Sequence, residues 1–446
     1  MFIINKDSII FVAKLMAMAI TNEIIRTLIK EGQELIDDIN LYNRPFDFEV
    51  NGRYVLVGVR QAGKSYMLYQ RAKQLLAEGH SSEEFVYIDF DDERLIEMKA
   101  EDFDLILQTY KATYTHKPIL FFDEIQNVEG WEHFARRLAN QKYTVFISGS
   151  NAKMLSRDIH TTLGSRYRDE KIFPYSFKEY LGANGVTLDN EWEFGATRFT
   201  VQQMFRQYLL WGGFPELLLY KNKRRWLNDV YEKILLNDVI LRNNIKNEMA
   251  LRLTLKRLAE SVTKPIAYNR ITNLIKGTGV GTSTASVMQY VSYARDAYTI
   301  VALENYASKF IEKETFKKHY FVDNGLLSIF LSDSVSPLFE NMCAIHLFRQ
   351  YDDKLYYYNK NVEVDFYIPE EKYALQACVS LVDEDTKKRE INALLQLDKV
   401  ENLKRMVIVT ETEEGKIDLP DGKVIEIIPA WKWLCQDVTS EKQSME

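Results

Sequence analysis

Cysteine and net positive charge are both scarce in this chain of 446 residues, and each scarcity excludes a class of protein. The cysteines are Cys343, Cys378 and Cys435, and their spacing fits neither a metal site nor a disulfide framework. Such sparse cysteine use indicates a reducing compartment, and we expect the cytoplasm. Acidic residues outnumber basic ones by 64 to 57, so no overall positive field attracts the chain to nucleic acid.

Long apolar runs are equally rare. The run Ile9–Ala13 is too short to span a bilayer, and the segment before it lacks the basic character of a signal peptide. Met16 and Met18 are candidates for the true start residue, and the sequence does not choose between them and Met1. No later stretch is long and apolar enough for a membrane helix, so we expect no membrane contact.

The most informative feature present is a complete G-x-x-x-x-G-K-[ST] pattern, the signature of a phosphate-binding loop. The residues expected to bind the nucleotide are Gly58, Val59, Arg60, Gln61, Ala62, Gly63, Lys64, Ser65 and, just after the pattern, Tyr66. An apolar run at 54–57 predicts a strand before the loop, and helical spacing at 67–76 predicts a helix after it. This order directs backbone N–H groups and a helix N-terminus at a phosphate chain. We expect Lys64 to reach the β- and γ-phosphates, and Ser65 to offer a hydroxyl to Mg²⁺.

A pair of carboxylates follows a second apolar run, 119–122, which predicts another buried strand. Ligands bind at the carboxyl ends of parallel strands, which is where Asp123 and Glu124 stand. We expect Asp123 to hold Mg²⁺ and Glu124 to orient and deprotonate the attacking water. With the phosphate loop upstream, this pair extends the prediction from nucleotide binding to hydrolysis.

Two further predicted strands end in polar residues whose roles the pattern leaves open. After the run 144–148, Ser150 and Asn151 are candidates to contact the γ-phosphate or the attacking water, and Ser150 is preferred. A plain Gly-Ser-Asn turn is an equally weighted alternative. An earlier strand ends in the acidic segment 89–93, which we interpret as a solvated loop rather than as a group that Arg94 orients towards the site.

The periodicity changes along the chain and predicts several segments. Strands and helices alternate from 54 to 180, which is typical of an α/β fold with a parallel sheet. The predicted segments are 1–45, an N-terminal helical segment; 46–182, a P-loop ATPase domain; 183–310, a helical and winged-helix domain; and 311–446, a C-terminal domain.

The winged-helix prediction depends on the order of elements within 250–305. Helical patterns at 251–259, 268–275 and 282–291 precede an apolar run at 298–303, as in a winged helix-turn-helix. The third helix is rich in Ser and Thr but carries little positive charge. DNA contact and a protein-packing role are therefore equally weighted.

Several longer motifs identify a family. They are Leu163-Gly164-Ser165-Arg166, the segment 174–181, the segment 212–216, the segment 320–327 and Phe339-Glu340-Asn341. With these motifs the chain resembles a large family of bacterial and archaeal ATPases, which have an AAA-type P-loop domain, a winged helix and a C-terminal domain of unknown function. The resemblance implies ATP as the nucleotide.

The same resemblance implies a role for Arg166. The usual Gly-Arg pair is interrupted here by Ser165. Arg166 is expected to act as an arginine finger or sensor that stabilises charge on the γ-phosphate. A structural arginine that pairs with the acidic residues after it is an equally weighted alternative.

The C-terminal segment resembles a restriction-endonuclease-like fold, which places a helix Glu, a strand Asp and a Glu/Gln-x-Lys around a metal. The matching positions are Glu340, Asp365, Gln376 and Cys378, so a cysteine occupies the lysine position. Glu340 and Asp365 remain able to bind Mg²⁺. Without the lysine we expect a degenerate domain that does not cleave; purely structural acids are the alternative.

Three hypotheses of function follow. The first is a switch or motor that hydrolyses ATP with Mg²⁺, coupled to DNA through the winged helix. The second is an ATP-gated protein-interaction module without DNA contact, and the third is a nucleotide-dependent nuclease. Candidate partners are therefore DNA, another protein and a second copy of the chain.

Overall fold

The computed structural model describes residues 20–50, 52–155, 157–331 and 335–436. The run Ile9–Ala13 and the alternative start residues Met16 and Met18 lie outside these ranges. Internal contacts divide the chain into two compact units: the residues up to Gly58 with Gly63–Ile172, and Val59–Ala62 with the residues from Phe173 onward. Within the described ranges, no helix combines the length and apolarity needed to cross a membrane.

A parallel sheet forms the centre of the first unit. Its described strands lie in the order β2-β3-β4-β1-β5. They are β1 (Tyr54–Val57), β2 (Phe85–Asp89), β3 (Ile119–Asp123), β4 (Val145–Gly149) and β5 (Arg168–Lys171). Helices cover both faces of such a sheet, which is why β1 to β4 are continuous apolar runs rather than alternating patterns. The predicted α/β fold of P-loop type is confirmed.

Five helices accompany these strands in the described part of the first unit. They are α1 (Asn22–Asp38), α2 (Lys64–Ala77), α3 (Phe103–Thr113), α4 (Trp131–Asn140) and α5 (Arg157–Leu163). The hydroxyl of Thr21 caps α1 by accepting from the Ile24 amide. A Cβ at Gly32 would lie 2.7 Å from the Tyr87 carbonyl oxygen, so glycine permits α1 to pack closely on β2.

The described part of the second unit contains eleven α-helices. They are α6 (Phe177–Ala183), α7 (Thr197–Trp211), α8 (Lys223–Lys233), α9 (Glu248–Glu260), α10 (Tyr268–Gly277), α11 (Thr284–Asp296), α12 (Phe310–Thr315), α13 (Asn324–Ser328), α14 (Val335–Tyr351), α15 (Glu384–Glu401) and α16 (Ala430–Trp433). A π-helical segment, Ile234–Leu241, continues directly from α8.

One sheet runs through the second unit, in the order β13-β14-β12-β11-β10-β9-β7-β8-β6 among the described strands. The strands are β6 (Ile266–Ala267), β7 (Ile300–Asn305), β8 (Phe316–Phe321), β9 (Tyr356–Asn359), β10 (Glu363–Ile368), β11 (Tyr373–Ala377), β12 (Arg405–Thr410), β13 (Gly415–Asp418) and β14 (Val424–Pro429). The helices α9, α10 and α11 precede β7, in the order that the sequence pattern predicted, and the two-residue strand β6 lies between α9 and α10. The winged-helix assignment stays a prediction.

The sheet crosses the predicted boundary at residue 310. β8 lies beyond that boundary but pairs in antiparallel fashion with both β6 and β7. β7 also pairs in parallel with β9, which joins these strands to the C-terminal ones. The division into four segments stays a prediction.

Two of the family motifs meet in a buried network within the second unit. Asp323 accepts hydrogen bonds from the amides of Gly213 and Gly325, each at 2.7 Å. A Cβ at Gly212, whose φ is +74°, would collide with the Asp323 carboxylate. Burial raises the pKa of Asp323 to about 6. Motifs that identify the family therefore serve packing here.

Candidate active site around the phosphate loop

The phosphate loop connects β1 to α2 at the carboxyl edge of the sheet. Gly63 has a φ of +95° and precedes the first residue of α2, Lys64. A Cβ at Gly58 would collide with the Ile172 carbonyl, so no other residue fits beside the end of β5. The predicted strand, loop and helix are present, and Tyr66 stands exposed on the first turn of α2.

Asp123 ends β3 and is buried with three hydroxyls around its carboxylate. Tyr87 donates to Oδ2 at 2.8 Å, and Ser148 donates to Oδ1. The Ser65 hydroxyl also hydrogen-bonds this carboxylate. Burial raises the pKa of Asp123, and the nearby Glu124 adds to this. A hydroxyl beside a carboxylate is the hard oxygen donor set that suits Mg²⁺, so these two predicted metal ligands fit that ion.

Glu124 adopts a left-handed backbone conformation with a φ of +49°, which is uncommon for a residue other than glycine. Its Oε1 lies 3.4 Å from Lys64 Nζ. The amide and hydroxyl of Ser150 donate to Oε2 at 3.2 and 3.0 Å. Gln126 Nε2 donates to the same oxygen at 2.5 Å. The predicted residues Glu124, Lys64 and Ser150 therefore lie together, and Gln126 joins them.

Lys64 is buried, and its Nζ also donates to the Gly58 carbonyl at 3.2 Å. The ammonium thus lies between the start of the loop and the Glu124 carboxylate. A cation at this position can neutralise one carboxylate or an anionic ligand of the loop.

The middle of the loop makes different contacts. Within the second unit, Arg60 Nε donates to Asp238 Oδ2 at 3.0 Å, and Arg242 lies 3.1 Å from the same carboxylate. The side chain of Arg60 therefore pairs with a buried acid. Gln61 has a φ of +62°.

The acidic segment after β2 divides into two parts. Arg94 pairs with Asp92 and with Glu31, each at 2.7 Å, away from the carboxylates of the site. Asp89 instead aligns with Asp123 across the paired strands. Burial raises the pKa of Asp89 to about 7, with a further contribution from Asp123. Asp89 is the member of this acidic segment that joins the site. Its place at the carboxyl end of a strand is the sequence feature that could have indicated this.

Arg166 does not lie with the loop within one chain. It donates to the carbonyls of Leu163 and Gly164, each at 3.1 Å. It precedes β5, whose first residue pairs with Tyr54, whereas the loop follows Val57. Arg166 therefore lies near the amino ends of the strands and the loop near their carboxyl ends, about four residues of strand or roughly 13 Å apart.

The C-terminal acids surround a lysine that the sequence pattern did not indicate. Lys318 Nζ lies 3.3 Å from Glu340, 3.3 Å from Asp365 and 3.1 Å from Glu363. Its side chain has no exposed surface. Burial alone would lower the pKa of Lys318, but the carboxylates raise it above its ordinary value. A cation from β8 thus lies among these acids.

The other two residues of the nuclease-like pattern have local partners. Gln376 Oε1 accepts from the Asp365 amide at 2.8 Å. Cys378 Sγ donates to the Ser380 carbonyl at 3.1 Å, and burial raises the pKa of its thiol to about 11. In the described part of the chain, no group of three or more His, Cys, Asp or Glu is arranged to hold a metal ion.

Comparisons with known proteins agree with the phosphate-loop site. Residues 51–181 match a family model described as an AAA domain, and residues 202–335 match a domain of unknown function. Among solved structures, Cdc6p of Pyrobaculum aerophilum is 12% identical with a TM-score of 0.25, covering 66% of this chain and 88% of that one. AMPPCP-bound DnaA of Aquifex aeolicus is 16% identical with a TM-score of 0.24, covering 62% and 89%.

Two relatives match at the level of sequence. An uncharacterised protein of Haemophilus influenzae is 31% identical over 278 residues, which are 61% of this chain and 67% of that protein. An uncharacterised protein of Methanocaldococcus jannaschii is 32% identical over 427 residues, which are 91% of this chain and 94% of that protein. The chain therefore belongs to the same P-loop AAA family as this Methanocaldococcus jannaschii protein.

Proposed function

We propose that this protein binds ATP with Mg²⁺ and hydrolyses it to ADP and phosphate, as a switch or motor. The observation that carries the proposal is the meeting of Lys64 and Ser65 with Asp123 and Glu124 at one edge of the sheet. A lysine, a hydroxyl and two carboxylates are the groups that phosphoryl transfer to water requires.

Each residue has a distinct role in this proposal. Ser65 and Asp123 would hold Mg²⁺, which supplies positive charge to the phosphate oxygens when bound. Lys64 binds the β- and γ-phosphates, and Glu124 orients the attacking water and takes its proton. The loop amides from Gly58 to Ser65 bind the phosphate chain.

The test is ATP turnover in purified Lys64→Ala protein, with Lys111→Ala as a matched control. Lys111 is an exposed lysine on α3 of the same unit. We expect the first variant to lose turnover and the control to keep it. Undiminished turnover in Lys64→Ala would refute the assignment.

Arg166 fits this proposal only in an assembly. Because it lies at the opposite edge of the sheet from its own loop, an arginine-finger role requires the loop of a second copy. We therefore include a homo-oligomer in the proposal, with Arg166 acting on the neighbouring site.

The output of the cycle has two candidates, and the surface of α11 favours protein contact. Its exposed residues include Met288, which is 44% exposed, and Gln289, Ser292 and Arg295. A single cation among them offers little attraction for phosphates, whereas an exposed methionine suits an apolar partner. DNA coupling through the winged helix is the alternative output.

We interpret the C-terminal cluster as non-cleaving. Nuclease chemistry needs a cation at the scissile phosphate. The Lys318 ammonium is wholly buried among carboxylates and has no surface to offer a substrate.

A further inference from the structure

Gln126 lies next to the reacting groups but has no role in the chemistry proposed above. It belongs to the short 3-10 turn Ile125–Asn127, directly after Glu124. Its Nε2 donates to Glu124 Oε2 at 2.5 Å, and Ser150 donates to that oxygen through its amide and its hydroxyl. Oε1 faces Lys64. The two oxygens of Glu124 therefore have different partners.

The orientation of the Gln126 amide is determined by the carboxylate. Only the NH₂ group can donate to Glu124, so the amide oxygen must point the other way. That oxygen, Oε1, is buried and has no hydrogen-bond partner among the described residues. It lies against Gly149, where a Cβ would collide with it. A buried acceptor without a donor costs folding free energy, so stability alone does not explain this glutamine.

We propose that Gln126 is a positioning residue that, together with Ser150, holds Oε2 of Glu124 and directs Oε1 towards the attacking water. Charge-assisted hydrogen bonds from two side chains to one oxygen set the plane of the carboxylate. General-base catalysis depends on such orientation, because the base must meet the proton within hydrogen-bond reach.

The inference rests on the proposed function, in which the phosphates of ATP draw the Lys64 ammonium away from Glu124. An O–H bond of the water then breaks, and its proton passes to Oε1. The water oxygen bonds to the γ-phosphorus. The bond from that phosphorus to the β–γ bridging oxygen breaks, and its electron pair leaves with ADP.

The test is Gln126→Met, which keeps the length of the side chain but removes its donors. Gln141→Met, at an exposed glutamine of the same unit, is the matched control. We expect the kcat for ATP to fall about 10- to 100-fold, since small misplacements of a catalytic group cost that much. Affinity for a non-hydrolysable ATP analogue is expected to stay within about 3-fold, which also shows that the variant folds.

A double-mutant cycle separates positioning from general structure. If Gln126 acts through Glu124, Gln126→Met costs nothing further in single-turnover hydrolysis by a Glu124→Gln protein. An equal loss in both backgrounds, or a matching loss of nucleotide affinity, would overturn the inference. Full turnover in Gln126→Met with turnover lost in Glu124→Gln would overturn only this inference. Full turnover in both variants would overturn the proposed function itself.

Discussion

Replacing Lys318 by methionine tests how the C-terminal unit is stabilised. The substitution removes a wholly buried ammonium and leaves Glu340, Asp365 and Glu363 without their shared cation. The side chains of Glu340 and Asp365 are only 11% and 16% exposed, so water replaces that cation poorly. Breaking a buried ion pair from one side typically costs about 3–5 kcal/mol. We expect the free energy of unfolding of the second unit to fall by about that amount.

The loss should depend on pH in a defined direction. Burial raises the pKa of Glu340 to about 8, above its ordinary value, with Asp365 adding and Lys318 opposing. A carboxyl with a raised folded pKa stabilises the fold fully below its unfolded pKa, and this contribution is lost as pH rises through the folded value. Without Lys318, which opposes this shift, the protonated form of Glu340 is favoured further. The Lys318→Met penalty is therefore expected to be small near pH 5 and largest near pH 9.

The assay is urea unfolding of the full chain, followed by tryptophan fluorescence at both pH values. Of the six tryptophans, Trp131 lies in the first unit and the others lie in the second, so the signal reports mainly on the second unit. Lys360→Met, at an exposed lysine between β9 and β10, is the matched control. Equal stability of Lys318→Met and the wild type at pH 9, or a loss that is the same at both pH values, would refute the reasoning.

Two further predictions concern assembly and output. Mixing Arg166→Ala protein with Lys64→Ala protein is expected to give more ATP turnover than the two separately, because one copy supplies the arginine and the other the intact loop; turnover equal to the sum would exclude action between copies. Fluorescence anisotropy with labelled duplex DNA, at about 50 and 200 mM salt, is expected to show no binding that ATP strengthens, since α11 exposes few cations. Tight binding that weakens steeply with salt would instead establish DNA as the output.

Local patterns were enough to predict the centre of the first unit. The phosphate loop and the residues that follow β3 and β4 are contiguous segments, and buried parallel strands leave continuous apolar runs in the sequence. Glu124, Lys64 and Ser150 were placed together because carboxyl ends of parallel strands meet at one edge.

Other contacts depend on distant residues and left no readable pattern. Arg94 pairs with Glu31, 63 positions away, so its pairing could not be inferred from the acidic segment beside it. Lys318 reaches Asp365, 47 positions away, from β8, whose own partners β6 and β7 lie before the boundary predicted at residue 310. The nuclease-like interpretation of this segment stays a prediction, and Lys318, the cation among its acids, lies outside the pattern that suggested it.

The sequence by itself determined the nucleotide loop, the acid pair and the parallel sheet, because each of these features depends on residues that are adjacent in the chain and on the apolar runs that buried strands require. Only the tertiary structure decided which oxygen of Glu124 is held by Gln126 and Ser150, which edge of the sheet carries Arg166, and which cation neutralises the C-terminal acids. The contacts of Ser150 and Lys318 depend on how residues far apart in the chain are brought within about 3 Å of their partners, the range over which a hydrogen bond forms.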